Sequence, residues 1–557
     1  MKCLGLCLCF LFLGCDSGFQ SIDQRVESYM GSKSASIGAV EPKVSLPTPE
    51  SFNQTIENTD PDTQNPSPED LIYNVAESLD AELVAQSLNH AEDDLRTTSK
   101  QLSLKEVLLF STENAREMTF AEYDYLSVTL SLLNELHLWG PRFSNTISSN
   151  IDGNSDDGLY ETALDVVNDF QVTQNLYNGG AVSANALSSF ARGIHNSTEN
   201  SSSSTDLAVA LEIPLLQGSG AVARESLIQA KRNLVYAART FERFRRVFYK
   251  AIVQDYLSLV VQKQSLANAQ MGVDSLKQLA KRQAALYSSG RARLYDSADA
   301  ENQALAAVAR LSQSWEQYRL AVDRFKIRIG WPIDSVVDIV PTSLDIGPPK
   351  VDVSQAVLLA LQYRLDLQNK YNGLEDTERG VVNAINDLLP NAVFNASVNT
   401  SSDFDKPAKF TGQDIDYLVG LSISLPIDKE TERISVRQEQ ILLERAKRTY
   451  REAMDSIAVE VRSALRKIEV YQFTLDLQNR NVEIAQLGLD SINADPDRVS
   501  VLDQTRAISD LQGAQDARDS ARRDLELSII DYLLQAGQLR ISQNGELVLP
   551  KNSGKLK

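Results

Sequence analysis

The chain has 557 residues, with 55 Lys and Arg against 75 Asp and Glu, a formal net charge of −20. That acidic balance supplies no basic face for a phosphate backbone and disfavours nucleic acid as a partner. The four cysteines are Cys3, Cys7, Cys9 and Cys15, so the rest of the chain can hold neither a disulfide nor a cysteine metal site. The three histidines, His90, His137 and His195, lie in separate segments. No catalytic constellation, metal site or cofactor is expected.

The first fifteen residues read MKCLGLCLCFLFLGC. One lysine precedes about ten apolar residues, too short a run to span a bilayer as a helix, and the segment reads as a secretory signal. Its ending, FLGC, resembles a bacterial lipoprotein box in which Cys15 carries the lipid and becomes the mature N-terminus. Residues 16–70 are rich in Ser, Asn, Pro, Asp and Thr, and read as a disordered tether. Ser103 with Glu106, and Thr119 with Glu122, have the spacing of capping boxes and predict two helix starts, the second helix stopping at Gly140-Pro141. A strand over Ala181–Phe190 and a Ser- and Asn-rich loop follow. The next strand, Leu207–Pro214, sets Leu207, Val209, Leu211 and Ile213 on one face and Ala208, Ala210 and Glu212 on the other. No proline interrupts residues 215–331, where Leu227, Leu234, Phe241 and Phe248 recur every seven residues. This predicts a helix of about 100 Å from residue 221 to 287, reversing at Ser288-Ser289-Gly290.

The later half has the same layout. Helices are predicted over 353–368 and 370–389, then a two-faced strand around Val393–Asn399 and a polar loop over 401–414. A second strand sets Tyr417, Val419, Leu421, Ile423 and Leu425 against Gly420, Ser422 and Ser424. Another long coiled-coil helix follows. The segments DSADA (Asp296–Ala300) and DQTRA (Asp503–Ala507) stand 207 residues apart, as do Gly330 and Gly537. The chain thus reads as two repeats, 71–332 and 333–540, with hairpins at about 181–214 and 391–426 and a tail over 541–557.

Apolar and small or polar positions that alternate over about ten residues are the signature of a transmembrane barrel strand. No apolar run after the signal is long enough for a membrane helix, so any spanning must be by strands. Four strands per chain cannot close a barrel, and open edges in lipid leave backbone groups unpaired, so several copies must contribute jointly to a cyclic ring. Gly218-Ser-Gly220-Ala-Val-Ala223 has a dinucleotide-site spacing. Its preceding strand alternates and ends in Pro214, though, unlike a buried parallel strand; a barrel-to-helix linker is the better reading.

The order of these features resembles the TolC-type outer-membrane efflux factors over about residues 100–540. The resemblance is carried by Ile213-Pro214-Leu215 and Leu425-Pro426-Ile427, by the tip Ser288–Gly290 with Asp296-Ser-Ala-Asp299-Ala300, and by the closings Ile329-Gly330-Trp331-Pro332 and Ala536-Gly537. It implies a mixed α and β membrane protein: a homotrimer with a twelve-stranded β-barrel, four strands per chain, continued by a coiled-coil periplasmic tunnel. It also implies an outer-membrane location, to which the lipoprotein box adds lipid anchoring at Cys15, and docking on a periplasmic adaptor protein and an inner-membrane pump. Asp296, Asp299, Asp503 and Arg506 would then line the gate at the periplasmic tip. Asp16, directly after Cys15, and Arg506, where the first tip has Asp299, depart from the family pattern. The rival is a periplasmic coiled-coil scaffold lipoprotein without a pore, which has no use for a lipid-facing stripe.

Overall fold

The computed structural model describes residues 15–39, 100–156, 159–195, 202–342, 344, 346–402, 409–494, 499–542 and 547–548. The signal segment through Gly14 and residues 40–99, which hold most of the expected tether and the start of the first repeat, lie outside them. The chain divides into two compact units. One is Met1–Ile37, Asp124–Arg239 and Leu367–Ala453; the other is Gly38–Tyr123, Thr240–Asp366 and Met454–Lys557.

The first unit is organised by one antiparallel sheet. Its strands are β2 (Arg142–Asp156), β3 (Leu159–Asn175), β4 (Ala181–His195), β5 (Ser202–Pro214), β7 (Asn391–Ser402) and β8 (Phe410–Ser424), hydrogen-bonded in the order β2-β3-β4-β5-β7-β8. Among the described residues this sheet has six strands, not the four read from the sequence, so the twelve-strand count implied by the resemblance does not follow. The missed hairpin is β2–β3. On β2 the apolar residues recur only at every fourth position, Phe143, Ile147 and Ile151, with Asn145 and Ser149 between them on the same face. Period-two alternation is thereby diluted on β2.

The same unit holds helix α1 (Cys15–Ser36), where the sequence predicted the first part of a tether. Val26 and Met30 are buried, and the Tyr125 hydroxyl donates to the Met30 carbonyl at 3.3 Å. Ile22, Val26 and Met30 stand at four-residue spacing, a narrow apolar stripe that averaging over a polar segment hides.

Strands β5 and β8 each lead into a long helix. Helix α4 (Glu225–Ser288) has 64 residues and α8 (Glu430–Ala494) has 65, each close to 100 Å at 1.5 Å per residue. They return as α5 (Leu294–Ile329) and α9 (Val501–Gln535). The 207-residue offset read from the tips holds for the starts of the returning helices, α5 and α9 at 294 and 501, while α4 and α8 begin 205 residues apart, at 225 and 430. The short helix pairs stand farther apart. Helices α2 (Leu104–Asn114) and α3 (Arg116–Leu138) are matched 249 residues later by α6 (Val353–Tyr363) and α7 (Leu365–Asn386). The 42-residue difference between the offsets is about the length that β2 and β3 occupy.

In the second unit, Ser103 caps α2 as the sequence predicted, its hydroxyl accepting from Glu106 N while Glu106 Oε2 accepts from Ser103 N at 2.9 Å. Thr119 is not a cap. It lies inside α3, which begins at Arg116, and its hydroxyl turns back to the Ala115 carbonyl. Strand β1 (Lys100–Leu102) pairs in parallel with β6 (Val337–Ile339), and the buried Tyr256 hydroxyl, on α4, hydrogen-bonds the carbonyls of Leu102 and Val340. Gly330 and Gly537 end α5 and α9 at φ of 79° and 68°. A Cβ on Gly330 would lie 2.2 Å from the Asn114 carbonyl oxygen at the end of α2, and one on Gly537 would lie 2.9 Å from the Tyr363 carbonyl carbon at the end of α6. A short hairpin of β9 (Arg540–Ile541) and β10 (Leu547–Val548) falls in the expected tail.

Candidate pore-forming sheet and helical tips

The register of the sheet builds two chemically opposite faces. Phe143 and Asn145 of β2 lie opposite Val172 and Phe170 of β3, and Phe170 and Val172 lie opposite Ala186 and Ala184 of β4. Those alanines lie opposite Leu207 and Val209 of β5, and Val182 faces Leu211. Val209, Leu211 and Ile213 meet Val398, Ala396 and Phe394 of β7, which meet Tyr417, Val419 and Leu421 of β8, with Ile423 opposite Ala392. One apolar face thus crosses all six strands. Seven of the eight stripe residues named from the sequence share this face, and Leu425 lies just beyond β8. The sequence reading missed Phe143, Ile147, Ile151, Phe170 and Val172.

These residues are open to the surroundings. Ile147 is 70% exposed, Val209 52%, Tyr417 79% and Leu421 59%. An exposed apolar face of this extent marks contact with lipid or protein. The other face carries Asp169 of β3, Asn185 of β4, Ala208, Ala210 and Glu212 of β5, Asn395, Ser397 and Asn399 of β7, and Gly420 and Ser422 of β8. Polar and small groups suit water.

Where the sheet meets α4, the chain turns through Gly218 and Gly220, both at positive φ. Gly218 N donates to Asn386 Oδ1 at 2.8 Å, and Gly220 N to the Asn178 carbonyl. The strand before this turn is antiparallel to both neighbours, so the G-x-G-x-x-A spacing has no parallel βαβ frame around it and serves as a linker. Beside it, charge pairs fasten α4 to α7. Arg232 Nη2 meets Glu375 at 2.9 Å and Arg379 Nε meets Glu225 at 3.0 Å. The Tyr236 hydroxyl donates to Asp376 at 2.6 Å. Burial, with that carboxylate beside it, pushes the Tyr236 hydroxyl up to about 12.

In the second unit the α4–α5 tip has a small apolar core of Val273, Leu276, Leu279, Ala300, Ala304 and Ala307, joined by Val501 of α9. Gly290, at φ 73°, closes α4, with Arg291 N bonded to the Leu286 carbonyl. Asp296 sits in the first turn of α5, where a carboxylate complements the helix dipole, and Asp299 lies on the next turn. Both are half-buried. At the second tip Ser500 caps α9 through Asp503 N at 3.1 Å. Arg506 faces Asp503 of its own helix at 3.9 Å. Leu294 and Tyr295, beside Asp296, are 62% and 76% exposed.

Among the described residues no helix is long and apolar enough to cross a membrane, and no group of three or more His, Cys, Asp or Glu side chains could hold a metal ion.

No known protein-family profile matches the chain, and no curated protein matches it. Solved structures do. The chain is similar to CusC, a transmembrane channel, at 12% identity and a TM-score of 0.62, over 79% of this chain and 94% of that one. It is similar to the outer-membrane channel OprN at 16% identity and a TM-score of 0.60, over 78% and 89%. The outer-membrane protein VceC of Vibrio cholerae matches at 12% identity and a TM-score of 0.60, over 78% and 96%. With its two-faced sheet and paired long helices, the chain shares the fold of these solved channel structures.

Proposed function

We propose that this chain is the outer-membrane exit duct of a tripartite efflux or type I secretion system. It works as a homotrimer and as a passive conduit that carries small molecules, metals or polypeptides from an inner-membrane pump to the exterior. The observation that carries this reading is the apolar face that crosses all six paired strands, backed by a polar face and continued by helices of 64 and 65 residues. A sheet with open edges cannot remain in hydrocarbon, because its edge N–H and C=O groups find no water there, so copies must join and close a barrel around the polar face. The near-207-residue recurrence of hairpin, long helix and tip supports a duplicated unit, with β2–β3 added to the first copy. Conduction of this kind needs no catalytic group and no cofactor.

The remaining assignments belong to the same reading. Cys15 is acylated and anchors the chain in outer-membrane lipid. The helical tips meet a periplasmic adaptor protein and the pump, and Asp296, Asp299 and Asp503 form rings of negative charge at the narrow periplasmic entrance, which concentrate cations. A scaffold lipoprotein without a pore would not expose Leu207, Val209, Leu421 and Ile423 in register. The mature protein, purified in detergent, is expected to sediment as a trimer with full β content; a monodisperse monomer with the same β content overturns the proposal.

A further inference from the structure

The sheet ends on β2 at one side and β8 at the other, each 15 residues long. Every residue of β2 from Phe143 to Ile151 is exposed, and so is β8 from Ile415 to Ile423 except Gly420, whereas β3 and β4 are mostly half-buried. Both edges thus present unpaired backbone on matched lengths of strand. Direction also fits. All neighbours in the sheet are antiparallel, so an even number of strands leaves β8 running opposite to β2. The β8 of one copy then meets the β2 of another with antiparallel polarity. The apolar face reaches both edges, through Phe143, Ile147 and Ile151 on one and Tyr417, Val419 and Leu421 on the other. Joining them keeps one surface apolar and the opposite surface polar.

We infer that β8 of each copy pairs with β2 of the next, so that three copies close an eighteen-stranded barrel in which the β2–β3 hairpin is part of the wall. This rests on the trimeric duct proposed above and adds to it the identity of the closing edge. A twelve-stranded ring would instead have to seat β8 on β4, whose edge is already taken by β3 from Thr162 to Asn175. Barrel diameter grows roughly in proportion to strand number, so this barrel is about 1.5-fold wider than a twelve-stranded one of equal tilt. With so wide a wall, cargo selection falls to the helical end of the duct and not to the barrel.

Disulfide mapping tests this in the full-length protein, whose cysteines all lie at or before Cys15. Ser148→Cys on β2 is combined in turn with Leu418→Cys, Gly420→Cys, Ser422→Cys and Ser424→Cys on β8, all on the same face as Ser148, and oxidised in membranes. Single-cysteine variants control for Cys15. The inference expects covalently linked subunits for one or two adjacent β8 positions and none for the rest. Ser183→Cys on β4, paired with the same β8 set, is expected to give no link. Links through Ser183→Cys and none through Ser148→Cys, in a protein still trimeric and membrane-embedded, overturn the eighteen-stranded wall and leave the duct standing. Twelve strands in an electron cryomicroscopy map of the trimer do the same. A chain that never trimerises overturns both.

Discussion

Arginine placed on the apolar face of β5 tests the assignment of lipid and water sides at single-residue resolution. Val209 lies near the middle of β5, between Ala184 of β4 and Val398 of β7, and is 52% exposed. Its neighbour Ala210 lies between Ser183 and Ser397 on the polar face. Val209→Arg puts a cation near the bilayer midplane, which costs about 2–4 kcal/mol per chain in transmembrane barrels. That is about 30-fold to about 900-fold in the equilibrium for insertion of each subunit. Ala210→Arg faces water beside Asp-, Asn- and Ser-rich strands and is expected to cost less than about 1 kcal/mol. Urea or guanidinium titration of folding into phospholipid vesicles, followed by resistance of the trimer to heat on gels, measures both. Equal losses from the two variants, or a larger loss from Ala210→Arg, would refute the assignment of faces.

Three further outcomes follow from the helical parts. Gly330→Ala forces a Cβ at positive φ to within 2.2 Å of the Asn114 carbonyl oxygen, and is expected to destabilise the second unit by about 2–4 kcal/mol, read from chemical denaturation. Arg364 is 5% exposed and is held by Asp366 at 2.8 Å and by Glu460. Arg364→Ala should cost about 2–3 kcal/mol, less than a fully buried pair because its partners are 30% and 41% exposed. Burial pushes the Asp366 carboxyl up, but Arg364 and Arg243 outweigh it and hold the group below the usual range. Its stabilising contribution is therefore complete above the ordinary carboxylate range and is lost as pH falls through the lowered value. Arg364→Ala should accordingly move the acid unfolding midpoint to higher pH, and an unchanged midpoint would contradict the pairing. Asp296→Asn combined with Asp299→Asn should lower cation-over-anion selectivity in planar bilayers; unaltered selectivity would mean that these carboxylates only cap α5.

The long helices, the two prolines that end strand regions and the tips were legible because each rests on a local signal: heptads without proline, strict alternation, and Gly290 followed by an acidic first turn. Gly330 and Gly537 were legible as matching positions. The reason for them was not, because it lies in the close approach of α2 and α6, far away in sequence. The β2 strand escaped because Asn145 and Ser149 occupy its outward face, leaving an apolar residue only at every second outward position; β3, interrupted there by Asn168, keeps Leu164, Val166, Phe170 and Val172, an alternation that was present in the sequence. Helix α1 escaped because three apolar residues in a polar segment gain their meaning from Tyr125, about a hundred residues later. The pairing of Arg506 with Asp503 was available from their i, i+3 spacing on one helix, which competes with any partner on the neighbouring hairpin.

The central claim is that copies of this chain enclose an aqueous path through the outer membrane. Single-channel recording of the purified full-length protein in planar bilayers addresses it directly. The account predicts discrete conductance steps with cation preference, and fewer insertion events for Val209→Arg than for Ala210→Arg. Trimers that insert into the bilayer yet give no conductance steps under any applied voltage would contradict it.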